Sequence, residues 1–300
     1  MRTFEIPEPD YDRYSNRQLV AIPLAVLAIA LLILGATWLL TGAPATMGIE
    51  FTGGSELTIE TESDRADIEA AFGGELESIQ EVVGEENQFI LRFESTDLRV
   101  DDPDEQGLVD IAEAELTPVG DSDSVVLGER VVSPAFAGEQ QSLALLAIAV
   151  AFIGMSLLAF VLFRTFIPSV AIVVSAFSDI MIPLAVMSLL DISLTFGTVA
   201  ALLMLIGYSV DSDILLNNHI LRRSGDFYES TYRAMRTGVT MTLTSMTAMF
   251  AMFVVATIFG IEILSAIGLI LFVGLAADLM NTYMLNLSLL RWYKFKGVAR

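Results

Sequence analysis

The chain has 300 residues, 54% of them hydrophobic, and a formal net charge of −21. The hydrophobic share exceeds the usual range of a soluble globular protein, and the acidic balance excludes nucleic-acid binding by counterion release. With no cysteine and a single histidine, His219, disulfides, thiol chemistry and a histidine-cluster metal centre are excluded as well.

The apolar residues gather into six runs, each long enough to span a hydrocarbon core of about 30 Å. In chain order the reading is a polar N-terminal tail over 1–18, a first span over 19–41 and an acidic domain over 42–140. Five further spans follow at 141–163, 168–190, 193–217, 238–259 and 263–290, and a tail closes the chain at 291–300. Ala43-Pro44-Ala45 looks like a cleavage site. The first apolar run is longer than a secretory h-region of about 7–15 residues, so it is read as an uncleaved helix.

Between Ala43 and Gln140 lie 25 acidic and 4 basic residues, so this one stretch carries the whole net charge. Such a surface suits high salt, where screening removes self-repulsion, and points to a halophilic source. The stretch reads as a small α+β unit. Glu56 to Thr61 alternates apolar and polar like a half-buried strand. Asp64 offers an N-cap to a helix with Ile68, Ala71 and Phe72 on one face, ended by Gly73-Gly74. Strands near Ser78–Val83 and Gln88–Glu94 flank a hairpin link, Gly84-Glu85-Glu86-Asn87. A helix over Asp104–Leu116 and a strand over Val125–Val132 complete a βαββαβ, ferredoxin-like order. The many carboxylates here follow the domain's acidity and define no acid–base pair.

Basic residues near span ends set orientation. Arg2, Arg13, Arg17, Arg164, Arg222, Arg223, Arg233, Arg236, Arg291, Lys294, Lys296 and Arg300 all fall on one side if the spans alternate. Both termini are therefore expected in the cytoplasm and the 42–140 domain outside a multi-pass cytoplasmic-membrane protein.

An ionisable residue inside a span is costly and a functional candidate by default. Asp179, Asp211, Asp213 and Asp278 qualify. Asp179 lies about 17 Å from Pro168, Asp211 about 17 Å from Arg222 and Asp278 about 20 Å from Arg291, all near the midplane. If they face inward, they form a polar centre able to trade ions. Asp211 and Asp213 point about 200° apart on a helix, so they cannot share a cavity. Thr240, Thr244 and Thr247 form a stripe on the fifth span that can carry water or bond across helices. Asn281 shares a face with Asp278. His219 reads as an interfacial residue.

Two stretches carry a likeness. Met47-Gly48-Ile49-Glu50-Phe51-Thr52-Gly53-Gly54-Ser55 resembles the G-I-D-F-T-G-G-T signature of the SecF family of protein-export membrane subunits. Ile206-Gly207-Tyr208-Ser209-Val210-Asp211-Ser212-Asp213-Ile214-Leu215 is similar to its I-G-Y-S-x-N-D-T-V-V. Arg236-Thr237 followed by Thr240 resembles the R-T-x-x-T of its fifth helix, and the six-span layout also fits. The family's aspartate column falls on Ser212; Asp211 instead matches the V-D-x-x-I pattern of the related SecD and RND transporters. Asp211 is therefore the first choice for the working carboxylate and Asp213 the second, with Asp179, Asp278 and Arg236 as further ion-coupling candidates. Gly53 and Gly54 permit torsions other residues avoid, either as a joint between the first span and the first outer strand or as a plain turn.

The resemblance implies an α-helical six-span half of RND type with a ferredoxin-like outer domain. It implies a non-enzymatic partner of SecD that assists a SecY-type channel in moving exported polypeptides. The coupling ion is H+ or Na+, with no other cofactor and no metal. No G-x-x-x-x-G-K-[ST] motif for a nucleotide occurs. The alternatives are half of an RND-type small-molecule exporter and a membrane-anchored binding or scaffold module.

Overall fold

A computed structural model describes residues 13–82, 87–96, 98, 107–120, 122–222 and 227–297. The hairpin residues 84–86, the start of the Asp104–Leu116 helix, and Arg2, Arg223 and Arg300 lie outside the described residues. The chain divides into two units, Met1–Thr46 with Leu146–Phe253 and Ala266–Arg300, and Met47–Leu145 with Val254–Ser265.

The elements run α1 (Asn16–Thr41), α2 (Ile49–Thr52), β1 (Gly54–Glu60), α3 (Arg65–Phe72), β2 (Leu76–Glu81) and β3 (Gln88–Phe93). Then come α4 (Leu108–Glu115), β4 (Val126–Val132), α5 (Pro134–Phe163), α6 (Phe166–Leu189), α7 (Phe196–Arg222), α8 (Phe227–Ile258), α9 (Glu262–Met280) and α10 (Leu287–Trp292). A π-helical stretch, Asn281–Asn286, joins α9 to α10.

In the acidic unit, four strands form one antiparallel sheet in the order β2-β3-β1-β4, with helices after β1 and β3. This is the ferredoxin-like split. Period-two alternation sends Leu57 and Ile59 of β1 and Leu91 and Phe93 of β3 to one face, where Ile68, Phe72, Leu108 and Ala112 cover them. Asp64 caps α3 as its position suggested: its carboxylate accepts from Asp67 N at 2.9 Å and Asp67 returns the bond to Asp64 N at 3.4 Å. On the other face the nearly buried Arg92 donates to Glu56 at 3.2 Å and Gln80 at 3.3 Å. Gln80 in turn donates to Glu262 at 3.1 Å.

In the helical unit, α6 is the most enclosed span. Ile172, Ala176 and Ile180 of α6 meet Leu202, Leu205 and Ile206 of α7 and Ile270 and Leu275 of α9. Ala30 and Leu34 of α1 pack against Ile182 and Ala185 of α6. Gly268 lets α9 lie against the α8 backbone; a Cβ there would stand 2.7 Å from Phe253 N.

The helices differ from the apolar runs for local reasons. The first begins at Asn16 instead of 19, because Ser15 and Gln18 form a capping box. The second begins at Pro134 instead of 141: proline suits a first helical position, and the two polar turns that follow do not register in an apolar run. The third, at Phe166–Leu189 instead of 168–190, shifts by two residues at its start and one at its end. The fourth begins at Phe196 instead of 193, since Thr195 and Thr198 exchange side-chain bonds to each other's N–H at 2.8 and 3.3 Å. It runs on to Arg222 instead of 217. The fifth starts at Phe227, not 238; its first turns bury Phe227, Ala234 and Met235 and expose the Glu229–Arg233 pair. The sixth is not one α-helix over 263–290 but is interrupted by the π stretch.

Candidate functional site

Three of the four intramembrane aspartates meet inside the helical bundle. Asp179 on α6, Asp213 on α7 and Asp278 on α9 are each fully buried. Ser209 donates to Asp179 Oδ2 at 2.6 Å and Asn281 to Asp179 Oδ1 at 2.6 Å. Asn286 and Thr282 donate to Asp213 Oδ1 at 2.7 and 2.9 Å. Ser212 donates to Asp278 Oδ1 at 2.7 Å, and the Thr282 hydroxyl lies 3.3 Å from the same oxygen. Among the described residues no Lys, Arg or His pairs with any of the three.

The π stretch explains why α9 and α10 supply so much of this cluster. Its i to i+5 hydrogen bonding widens the turn, so Asn281, Thr282 and Asn286 all reach into the bundle. Thr282, Asn286, Asn217 and Ser175 are members that sequence reasoning missed. The signal was polar residues four and five apart within an apolar run, but a 3.6-residue period puts Asn281 and Asn286 on different faces. Asn281, expected on the face of Asp278, is buried with it and donates to Asp179.

The inward carboxylate of α7 is thus Asp213, where Asp211 stood first in the sequence reading. Asp211 is exposed on the opposite side of the helix, as 200° of rotation requires. Ser212, on which the family's aspartate column was expected to fall, donates its hydroxyl to Asp278 of α9.

Asp211 belongs to a second polar zone on the outer face of α7 and α8. Tyr208 donates to Ser245 at 3.2 Å, and a groove beside them is lined by Arg236, Thr240 and Thr244. Arg236, Thr240, Thr244 and Thr247 are exposed. Each threonine hydroxyl donates to the carbonyl four residues earlier, at 2.7, 2.8 and 2.8 Å. Among the described residues the stripe makes no bond across helices, because its nearest acceptors are on its own backbone. Gly207 lies on the same exposed side with open space beside it. His219, near the end of α7, is buried, with Nδ1 2.9 Å from Leu215 O.

The glycine pair sits in the acidic unit. Phe51 is buried in the α2 turn, and Thr52 donates to Gly53 O at 3.1 Å. Gly53 and Gly54 have φ of +81° and +104°. A Cβ on Gly53 would meet Pro134 Cα at 2.7 Å, and one on Gly54 would meet Phe93 O at 2.2 Å. The pair, which precedes β1 in the chain, thus lets the backbone pass close to the start of α5 and to β3.

Residues 111–296 match the family model described as protein export membrane protein SecD/SecF, C-terminal, and residues 38–64 match the SecD/SecF GG motif. The chain belongs to the SecF family of protein-export membrane proteins. Relatives named protein-export membrane protein SecF include one from Haloferax volcanii, 57% identical over the whole of both chains. Another, from Haloquadratum walsbyi, is 58% identical, again over all of both. One from Methanocaldococcus jannaschii is 35% identical over 91% of this chain and 94% of its own. The first two come from halophilic archaea, in keeping with the acidity of the unit that holds the sheet. A crystal structure of SecDF, a translocon-associated membrane protein from Thermus thermophilus, superposes with a TM-score of 0.73 at 23% identity. It covers 96% of this chain, which in turn spans only 39% of that one, and the likeness is one of fold. With six helices long and apolar enough to cross a bilayer, this SecF-family chain is a multi-pass membrane protein.

Proposed function

We propose that the chain is the SecF-type subunit of the export machinery, working with SecD beside a SecY-type channel on exported polypeptides. In this reading it is not an enzyme and binds neither nucleic acid nor nucleotide. It draws on an H+ or Na+ gradient, with both termini in the cytoplasm and the acidic unit outside.

The observation that carries the reading is the polar outer face of α7 and α8. Asp211, Arg236, Thr240 and Thr244 are exposed along helices whose other outward positions, such as Met204 and Leu243, are apolar. A charge facing lipid at the depth of Asp211 is expensive. A second membrane protein covering that face removes the cost and gives Arg236 and Asp211 partners. The SecD half is that protein, and Asp211 with Arg236 then lies on the seam where an ion would pass between the two.

The chain is naturally free of cysteine, so single cysteines test the face directly. Thr244→Cys is expected to crosslink to SecD in membranes, while Leu146→Cys on the exposed side of α5 is not. Crosslinking from Leu146 alone would place the partner elsewhere. Signal-dependent export in cells whose only copy carries Asp211→Asn is expected to slow while insertion and copurification with SecD persist. Unchanged export would remove Asp211 from ion coupling.

A further inference from the structure

The buried cluster has far more acceptors than donors. Asp213 Oδ2, Asp278 Oδ2, Asn217 Oδ1, Asn281 Oδ1 and Asn286 Oδ1 are all buried and meet no hydrogen-bond donor. Their side chains are themselves fully enclosed and belong to the network around Asp213 and Asp278. Three of the neighbouring hydroxyls are committed, while that of Ser175 is buried without a partner and can serve one oxygen at most. Ser209 donates to Asp179, Ser212 to Asp278, and Thr282 to Asp213. The amide N–H groups of Asn281, Asn286 and Asn217 are engaged with Asp179, Asp213 and the Asp213 carbonyl.

Buried polar groups are rarely left without partners, and an ionised oxygen least of all. A proton on a carboxyl relieves one oxygen and leaves the amide oxygens as they were. A cation relieves several at once. The donor set contains only oxygen, which suits a hard cation and not zinc or copper. Among the described residues no three carboxylate, histidine or cysteine side chains stand close enough for a multivalent metal centre. Two carboxylates with neutral amide and hydroxyl oxygens instead match a single positive charge.

We infer that the helical bundle holds a partly dehydrated alkali cation between Asp213 and Asp278, with the Asn286 amide oxygen as a neutral ligand. Thr282 positions the pair, since its hydroxyl sits 2.9 Å from Asp213 Oδ1 and 3.3 Å from Asp278 Oδ1. The site lies within one chain, on the opposite side of α7 from Asp211. It deepens the ion-driven reading above but needs neither SecD nor export to be tested.

The only tryptophans are Trp38 on α1 and Trp292 on α10, so tryptophan fluorescence reports on the helical unit and not on the acidic one. Thermal melts of the purified full chain in NaCl, KCl and choline chloride at equal ionic strength should separate the cases. An alkali cation is expected to raise the midpoint saturably over choline by several degrees. That rise should vanish in Asp213→Asn and Asp278→Asn and persist in Glu229→Gln. Equal midpoints in all three salts would overturn the site. Should the asparagine variants not fold, infrared difference spectra of the unaltered protein decide. Exchanging Na+ or K+ for choline is expected to convert a carboxylate band to a protonated one, and an unchanged spectrum refutes the inference. Loss of export in Asp211→Asn with an intact cation response would keep the two readings apart.

Discussion

Gly54→Ala is expected to open the antiparallel sheet at its first rung. Gly54 has φ of +104°, and an added Cβ would stand 2.2 Å from the Phe93 carbonyl oxygen, well inside ordinary contact. That oxygen belongs to the backbone of β3, next to the Ser55–Phe93 pairing, so no side-chain rotation relieves the clash. The left-handed placement alone costs about 1–2 kcal/mol. Separating the strands by about 1 Å weakens one or two ladder bonds at about 1 kcal/mol each, for a total of roughly 2–4 kcal/mol. Gly73→Ala is the control: its φ is +55° but its Cβ meets nothing within 4 Å, so only the torsional cost applies. Hydrogen exchange by mass spectrometry on the full chain reads local opening directly. With tenfold per 1.4 kcal/mol, amides of β1 and β3 should lose roughly 30- to 1,000-fold protection in Gly54→Ala. Gly73→Ala should lose about tenfold, near α3 only. Equal losses in the two variants would refute the steric argument and reduce the glycine pair to a simple turn.

Arg92→Met removes the donor that serves Glu56 and Gln80, leaving Glu56 with Arg130 at 3.7 Å as its remaining charge partner. A loss of about 2 kcal/mol in the stability of the acidic unit is expected from exchange in β1 and β3. Arg65→Met, whose partner Glu69 is as exposed as itself, should change the same readout by less than about 1 kcal/mol. Lowering salt from molar to about 0.1 M should destabilise the acidic unit before the helical one, because 25 acidic residues there face 4 basic ones. Loss of β1 protection with steady tryptophan fluorescence would show it. Gly268→Leu should push α9 away from Phe253 on α8 and lower the thermal midpoint of the helical unit. An unchanged midpoint would mean the crossing is looser than 2.7 Å implies.

Much of this architecture was legible from pattern alone. Period-two alternation in Glu56–Thr61, the Asp64 cap and the Gly73-Gly74 stop are local signals, and local signals fixed β1 and α3 to within two residues. Span existence was equally plain, but span ends were not, since the first turns of α5 and α8 are amphipathic and held by caps and tertiary packing. The site was half legible. That carboxylates from the third, fourth and sixth spans would meet follows from depth. Which of Asp211 and Asp213 faces inward depends on the rotation of α7, and no single helix reveals its own rotation in a sequence with polar groups on both sides. The π stretch at Asn281–Asn286 was invisible because it breaks the period on which the reading relied.

The two polar faces of α7 constrain what this helix does. Asp213 and Ser209 bind it inward to α6 and the π stretch, while Tyr208 binds it sideways to Ser245 on α8. A transmembrane helix with charged groups on opposite sides has little lipid-facing surface near those groups. Lipid is met elsewhere, by the outward Leu145, Val150, Ile153 and Val161 of α5, which carries no charge along that length. α7 thus carries polar side chains both toward the bundle interior and away from it. A change of charge at Asp213 and Asp278 alters the bonds of Ser212, Thr282 and Asn286, and through Ser212 it reaches the residue beside Asp211.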